Sequence, residues 1–471
     1  MVTVASSSVE QELKLEAESV QLDELEGEPL AERSFVSVYL DAADGSLRRA
    51  GITLRRRTED GQSIWQLKLP RPDGRLELEE RGGPAGPPDA LDRLLRARLR
   101  GRPLATVATL KTRRRGRIVD GAEVTLDQVE VLEGAHVVAR FCEIEAELAD
   151  GQFESLERRL LKAGARETDG RSKLQRALDE TGVASAEPKQ PGSDASALDL
   201  FRSYVLAQYD RITAHDPGVR VGGDPEGIHD MRVAVRRLRS ALRTVKPMVD
   251  PEWAERLRAE LDWLADALAP VRDLDVFADY LRRELAILDA GDAIGGQKLL
   301  RPLDDRRESV NERLRLALDS DRYLDLLGRV EAAAEAPPIR QADISLRKRL
   351  RKEFRKLKRQ VNSLGQTPSN AALHKTRIRA KRVRYAAELA VGGHTAKTKH
   401  LVNALKGLQD TLGELQDAVV AEQELRHLGH GAHPAEASLA AGRLIERQRE
   451  RAATARGGFK QDWKRVRHAR P

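Results

Sequence analysis

The sequence is poor in cysteine and in aromatic residues. One cysteine, Cys142, stands among 471 residues, so neither a disulfide framework nor a cysteine-based zinc site can form within the chain. Aromatic residues make up 4%, too few for a platform on which nucleic-acid bases stack. With no recognisable DNA- or RNA-binding motif, only non-specific phosphate contacts to nucleic acid remain. No apolar run reaches the roughly 18 residues that a membrane span needs. Met1 to Gln11 lack the basic and apolar regions of a secretory signal. The expectation is a cytoplasmic protein that makes no membrane contact.

What is there is charge. Charged residues make up 33% of the chain, with 82 Lys and Arg against 75 Asp and Glu, a net charge of +7 and a pI near 9.4. The excess is small against the total, so clustering must select any polyanionic partner. The length predicts two or three domains.

The chain divides by pattern. Short alternating segments recur over residues 9–178: Val9–Leu15, Phe35–Leu40, Ile52–Arg57, Ile64–Leu69, Arg75–Glu80, Glu123–Val131 and Val137–Leu148. Turns such as Asp60-Gly61, Asp73-Gly74 and Asp120-Gly121 join several of them as hairpins. Helical stretches interrupt near 89–99 and 153–163. A first domain is therefore expected over 1–180 and a linker over 181–197, rich in Gly, Ser, Pro and Ala. An all-helical domain is expected over 198–471. Pro337-Pro338 splits it into repeats of about 198–331 and 344–465.

Period-two charge marks the first domain. Glu10, Glu12 and Lys14 share one face of a strand, as do Glu143, Glu145 and Glu147. Cys142 falls on the opposite phase and reads as a packed thiol. Arg55 and Arg57 share a face, as do Gln66 and Lys68, and Arg113, Arg115 and Arg117. The wet face of an antiparallel sheet gives the same alternation, but five strands of it, two acidic and three basic, argue for a charged cavity. Carboxylates are hard-oxygen ligands for Mg²⁺ or Mn²⁺, and arginine and lysine donate to phosphate oxygens.

Glu10-x-Glu12-x-Lys14 resembles the ExExK signature of the CYTH superfamily, the triphosphate tunnel metalloenzymes. Val38–Asp41, Gly51–Arg57, Gln66–Leu69, the strand around Arg113 and Arg115, Asp127, Glu143–Glu145 and Ser172–Leu174 follow in the family's order. The resemblance covers about residues 9–178. It departs at Ala42, where the family often has threonine. The resemblance implies an antiparallel eight-stranded β-tunnel with flanking helices. It implies metal-dependent hydrolysis of inorganic triphosphate or a related triphosphate, with Glu10, Glu12 and Lys14 in the catalytic machinery. Glu10, Glu12, Glu143, Glu145 and Asp127 would hold Mg²⁺ or Mn²⁺. Lys14, Arg55, Arg57, Lys68, Arg113, Arg115 and Lys173 would bind the triphosphate. Glu77 or Glu79 would also face the lumen, and the residues do not choose between them.

The helical part repeats itself. His229, Arg232, Arg236, Arg237 and Arg239 match His374, Arg377, Lys381, Arg382 and Arg384 at an offset of 145 residues. Leu264, Asp266, Leu268 and Asp273 match Leu408, Asp410, Leu412 and Asp417 at an offset of 144. In each half the positions at 0, +3, +7 and +10 fall within roughly 80° on a helix and span about 15 Å. Each half thus carries a basic stripe, which an anion or the matched aspartates must compensate. These residues resemble the CHAD domain, which implies duplicated helical bundles around a basic channel that binds inorganic polyphosphate through both stripes. The basic run Arg347–Arg359 is a solvated face or an extension of that surface. The expected whole is a multidomain α+β chain that hydrolyses triphosphate and grips polyphosphate. The alternative is a non-catalytic polyphosphate-binding or granule-associated protein.

Overall fold

In the computed structural model, the described residues are 5–10, 12–17, 20, 22, 25–71, 74–147, 153–168, 170–182, 192, 195–222, 224–341, 344–391, 396–429 and 435–471. The chain forms two compact units, Met1–Lys189 with Asp216–Gly223, and Gln190–His215 with Asp224–Pro471.

The first unit contains β1 (Ser6–Glu10), β2 (Glu12–Glu16), β3 (Glu28–Pro29), β4 (Arg33–Ala42), α1 (Ser46–Arg49), β5 (Thr53–Glu59), β6 (Gln62–Arg71) and β7 (Gly74–Arg81). Then come α2 (Asp89–Leu99), β8 (Leu104–Val119), β9 (Ala122–Glu133), β10 (His136–Glu147), α3 (Glu154–Lys162), β11 (Arg166–Glu167) and α4 (Lys173–Glu180). The strands form one antiparallel sheet in the order β1-β7-β6-β5-β4-β8-β9-β10-β2-β11, with β3 on β8. The expected eight-stranded tunnel needs correction. Among the described residues the hydrogen-bonded path is open and does not return to its start. The reason lies in the first strand. Ser6–Glu10 pairs with β7 and Glu12–Glu16 with β10, while the other edge of β2 is taken by β11. Eleven strands thus form an open sheet in which all but β3 and β11 are longer than two residues.

Alternation uses both faces of this sheet. One phase carries Leu54, Trp65, Leu67, Leu76 and Leu78 under Leu91, Leu94 and Leu95 of α2. It also carries Leu15, Val124, Leu126, Ile144 and Ala146 under Leu156 and Leu160 of α3, with Cys142 packed against them. The other phase presents Tyr39, Leu110, Val129, Val131 and Phe141 to Leu174, Ala177 and Leu178 of α4. Beyond that apolar patch the same face becomes charged and lines a cavity.

The second unit is helical: α5 (Ala197–Val221), whose last residues cluster with the first unit, α6 (Pro225–Val245), α7 (Pro251–Leu285), α8 (Ala290–Gln297), α9 (Arg301–Asp319) and α10 (Asp321–Glu335). After Pro337-Pro338 follow α11 (Leu346–Asn362), α12 (Asn370–Val391), α13 (Ala396–Gly429) and α14 (Ala435–His468). Leu350, Phe354 and Leu357 of α11 pack on α12, α13 and α14, so the basic run is one face of a helix whose other face is buried. Among the described residues no helix is long and apolar enough to cross a membrane.

Candidate functional site

The charged face of the first unit encloses a cavity of about 280 Å³. Its lining includes eight cations, Lys14, Arg33, Arg55, Arg57, Lys68, Arg75, Arg114 and Lys173, and five carboxylates, Glu77, Glu79, Glu123, Glu145 and Glu147. Tyr39, Arg55, Gln66 and Glu79 lie opposite one another across four neighbouring strands. Hydrogen bonds run along this row. Arg55 Nη1 donates to Tyr39 Oη at 3.1 Å, Arg55 Nε to Gln66 Oε1 at 2.7 Å, and Gln66 Nε2 to Glu79 Oε1 at 2.6 Å. Both partners of Arg55 are neutral. Burial opposes its charge, but Tyr39, Glu77 and Glu145 outweigh that and keep the guanidinium firmly protonated. One row further, Lys68 faces Glu77 at 3.4 Å. Arg57 lies 3.7 Å over the ring of Phe35 and donates to Glu59 at 2.8 Å. Burial and the neighbouring Arg55 and Arg33 lower its pKa.

The opposite wall is acidic but neutralised. Lys14 lies directly across from Glu145 and contacts Glu145 and Glu12, each at 3.1 Å. Arg114 forks onto Asp127 with two 2.7 Å bonds and reaches Glu145 at 2.9 Å. Lys173 Nζ stands 2.8 Å from Glu143, 2.7 Å from Glu145 and 3.0 Å from Asp127. Arg176 approaches Glu143 at 3.4 Å. Burial raises the carboxyl pKa values of Glu145 and Asp127, but Lys173 and the flanking cations overcome it and hold both below the usual carboxylate range. Lys173 is correspondingly raised, because these carboxylates outweigh its desolvation. Lys173 is placed by the start of α4, where Ser172 and Gln175 form a reciprocal capping box.

The expected residues therefore divide. Glu12, Lys14, Arg55, Arg57, Lys68, Asp127, Glu143, Glu145 and Lys173 lie at or beside the cavity. The side chain of Glu10 is outside the described residues. Arg113 and Arg115 are corrected. Both are exposed, and Arg113 pairs with Glu32, while Arg114 points inward. On β8 the inward phase holds Leu110, Thr112, Arg114 and Gly116. Arg113, Arg115 and Arg117 share the odd phase, and the packed Leu110 on the even phase is the signal that marks the inward side. Arg33 and Arg75 also went unforeseen, although Arg75 shares the phase of Glu77 and Glu79, both of which line the cavity.

The chemistry of the donor set decides whether a divalent ion fits. Asp127, Glu143 and Glu145 converge, but on the ammonium of Lys173. Among the described residues no group of three or more acids, histidines or cysteines has metal-holding spacing. Among the described residues, the expected ligands Asp127, Glu143 and Glu145 do not fit Mg²⁺ or Mn²⁺ as they are arranged.

In the second unit the two basic stripes meet where α6 faces α12. The charges of Arg232 and Arg377 bear on Arg236, and those of Arg377, Arg236 and Arg384 on Lys381. Burial first, and these guanidiniums second, push the Lys381 ammonium down to about 7, against the opposing pull of Asp417. Buried Nε atoms of Arg236 and Arg377 and Nδ1 of His374 make no hydrogen bond. Burial and Arg272 lower His229. The matched aspartates compensate in part. Arg232 donates to Asp273 at 2.7 Å, and Arg377 bears electrostatically on Asp417 at the equivalent place. Other basic residues are committed elsewhere: Arg237 on the flank to Glu388 at 3.0 Å, and the stripe ends Arg239 to Asp262 and Arg384 to Glu388 at 3.5 Å. Arg382 sits half-buried near Arg379, Glu353 and Arg258.

Comparison with known proteins gives matches along most of the chain. The model of the CYTH domain matches residues 8–176 and that of the CHAD domain residues 203–426. Uncharacterized protein Rv2226 of Mycobacterium tuberculosis (strain ATCC 25618 / H37Rv) is 32% identical over 430 residues, covering 83% of this chain and 81% of that one. Among solved structures, PptA from Streptomyces chartreusis aligns with a TM-score of 0.50 at 23% identity, covering 57% of this chain and all of that one. The CHAD domain from the plant Ricinus communis aligns with a TM-score of 0.48 at 26% identity, covering 59% and 96%.

Proposed function

This chain belongs to the proteins that carry a CYTH domain followed by a CHAD domain, and from that premise we propose that its first unit binds a short linear phosphate anion of the triphosphate class and hydrolyses it. The observation that carries the reading is Arg55, held in the cavity by neutral partners so that its charge is left for an anion. Arg57 lies two residues along the same strand, about 6.6 Å away, Lys68 lies one row over on the neighbouring strand, and Tyr39 orients the guanidinium. Preorganised cations stabilise charge on the equatorial oxygens of a transferring phosphoryl group, which is most of what such a reaction requires. A cavity of about 280 Å³ sits near the lower end of small-ligand sites, ~300–1,000 Å³, which favours inorganic triphosphate over a nucleotide. No step is assigned to a divalent ion.

The second unit is proposed to hold longer polyphosphate where α6 faces α12, through Arg232, Arg236, Arg377 and Lys381. The unbonded buried Nε donors of Arg236 and Arg377 and the unbonded Nδ1 of His374 support this, because buried polar atoms without partners are costly. A second reading, binding without hydrolysis, draws on the saturation of Asp127, Glu143 and Glu145 by cations. A phosphate-release screen of the whole chain separates the two. Its substrates are tripolyphosphate, nucleoside triphosphates, thiamine triphosphate and long-chain polyphosphate, each with and without Mg²⁺ or Mn²⁺. Turnover is expected with tripolyphosphate above the nucleotides. Retention of tripolyphosphate without release of phosphate under any condition would leave the binding reading.

A further inference from the structure

We propose that the ammonium of Lys173 is the permanent counter-ion of the corner formed by Asp127, Glu143 and Glu145, so that binding of oligophosphate by the first unit needs no divalent ion there. The inference rests on the oligophosphate reading above and alters what Lys173 does within it.

The geometry leads to this. An ammonium has three protons to offer, and Lys173 Nζ has three carboxylate oxygens at 2.7–3.0 Å, one from each acid. The contact with Glu143 Oε1 is an ion contact whose angle falls short of a hydrogen bond. The three acids hold the ammonium among them by charge, so the lysine belongs to the scaffold rather than to the ligand. Side-chain exposure is 8% for Lys173, 0% for Asp127, 3% for Glu143 and 8% for Glu145. Such burial demands pairing, because an uncompensated charge there is strongly destabilising. A second layer completes the balance, with Arg114 on Asp127 and Glu145, and Arg176 on Glu143. Magnesium requires oxygens at about 2.0–2.1 Å in an octahedron. The three acids instead stand at ammonium distance, and an added divalent ion would bring excess positive charge into a corner already neutralised. The sequence supports the same division of labour, since Lys173 is carried by a capped helix rather than by the sheet that carries Arg55 and Lys68.

The test is calorimetric titration of the whole chain with tripolyphosphate, in EDTA and in Mn²⁺, following the binding event that Arg55→Ala removes. That event is expected in both conditions with affinities within about threefold. Its appearance only with Mn²⁺, or a loss of about tenfold or more in EDTA, overturns the inference while leaving the oligophosphate reading in place. No Arg55-dependent event in either condition overturns that reading and this inference together. A second measurement needs no phosphate. Lys173→Met frees the three acids, so the variant is expected to take up Mn²⁺ that the unaltered chain does not, read as loss of the free-ion signal in electron paramagnetic resonance. Equal uptake by both proteins contradicts the assignment. If the variant does not fold, the titration of the unaltered chain decides alone.

Discussion

At the scale of single residues, charge is spent in two ways. Arg55 is hydrogen-bonded to neutral Tyr39 and Gln66, whereas Arg114 and Lys173 are paired with buried acids. Asp127 has no exposed side-chain surface, and its removal takes one carboxylate from two buried cations and leaves Glu145 shared between them. Asp127→Ala is expected to cost about 3–5 kcal/mol, read by hydrogen exchange as a loss of protection along β9 and β10 of roughly two to three orders of magnitude. Unchanged protection would show the network to be dispensable. The same groups set a pH dependence. Asp127 and Glu145 are depressed in the fold, so their contribution is present above the unfolded value of about 4 and is lost as pH falls through the folded values. Lys173 is raised, so its contribution is present below about 10.4 and is lost as pH rises through the folded value. The thermal midpoint of the first unit should be flat between about pH 5 and 10 and fall outside that window. A steep change near neutrality would point to other groups.

At the scale of elements, much was legible in the sequence. The helix expected near 89–99 is Asp89–Leu99, and the alternating segments from Phe35 onward lie within β4 to β7, β9 and β10 apart from an end residue or two, while Val9–Leu15 is divided between β1 and β2, with Gln11 outside the described residues. Apolar and charged phases differ so sharply on those strands that register is fixed by burial. Legibility failed where phase was ambiguous. Arg113 to Arg115 run consecutively, and only packing of Leu110 and Thr112 picks the inward one. It failed again at closure, because β11 is two residues long and nothing in Arg166-Glu167 announces that it takes the edge of β2. Nor does the sequence reveal that α4 delivers Lys173 among three acids. The paired helices α6 and α12 carry their own prediction. Lys381 is pushed down to about 7, so a bound polyanion should restore its proton. Affinity for long-chain polyphosphate should therefore weaken as pH rises from about 6 to 8, with proton uptake on binding. A pH-independent affinity, measured by calorimetry in buffers of different ionisation enthalpy, would remove Lys381 from the site.

For the whole molecule, the repeat of Arg232 with Asp273 as Arg377 with Asp417 indicates that one device was used twice to line one basic surface. Each unit has its own cavity or cationic face, so their ligands should respond to different substitutions. Arg236→Ala with Arg377→Ala should weaken retention of long-chain polyphosphate about tenfold or more while tripolyphosphate release continues. Parallel loss of both would mean a shared site. The central claim is that the inward phase of the sheet, and not its outer basic residues, meets the oligophosphate. Titration of Arg55→Ala and Arg113→Ala with tripolyphosphate tests it most directly. The account predicts a loss of about tenfold or more for Arg55→Ala and a change within about twofold for the exposed Arg113→Ala, and equal effects, or the reverse order, would contradict it.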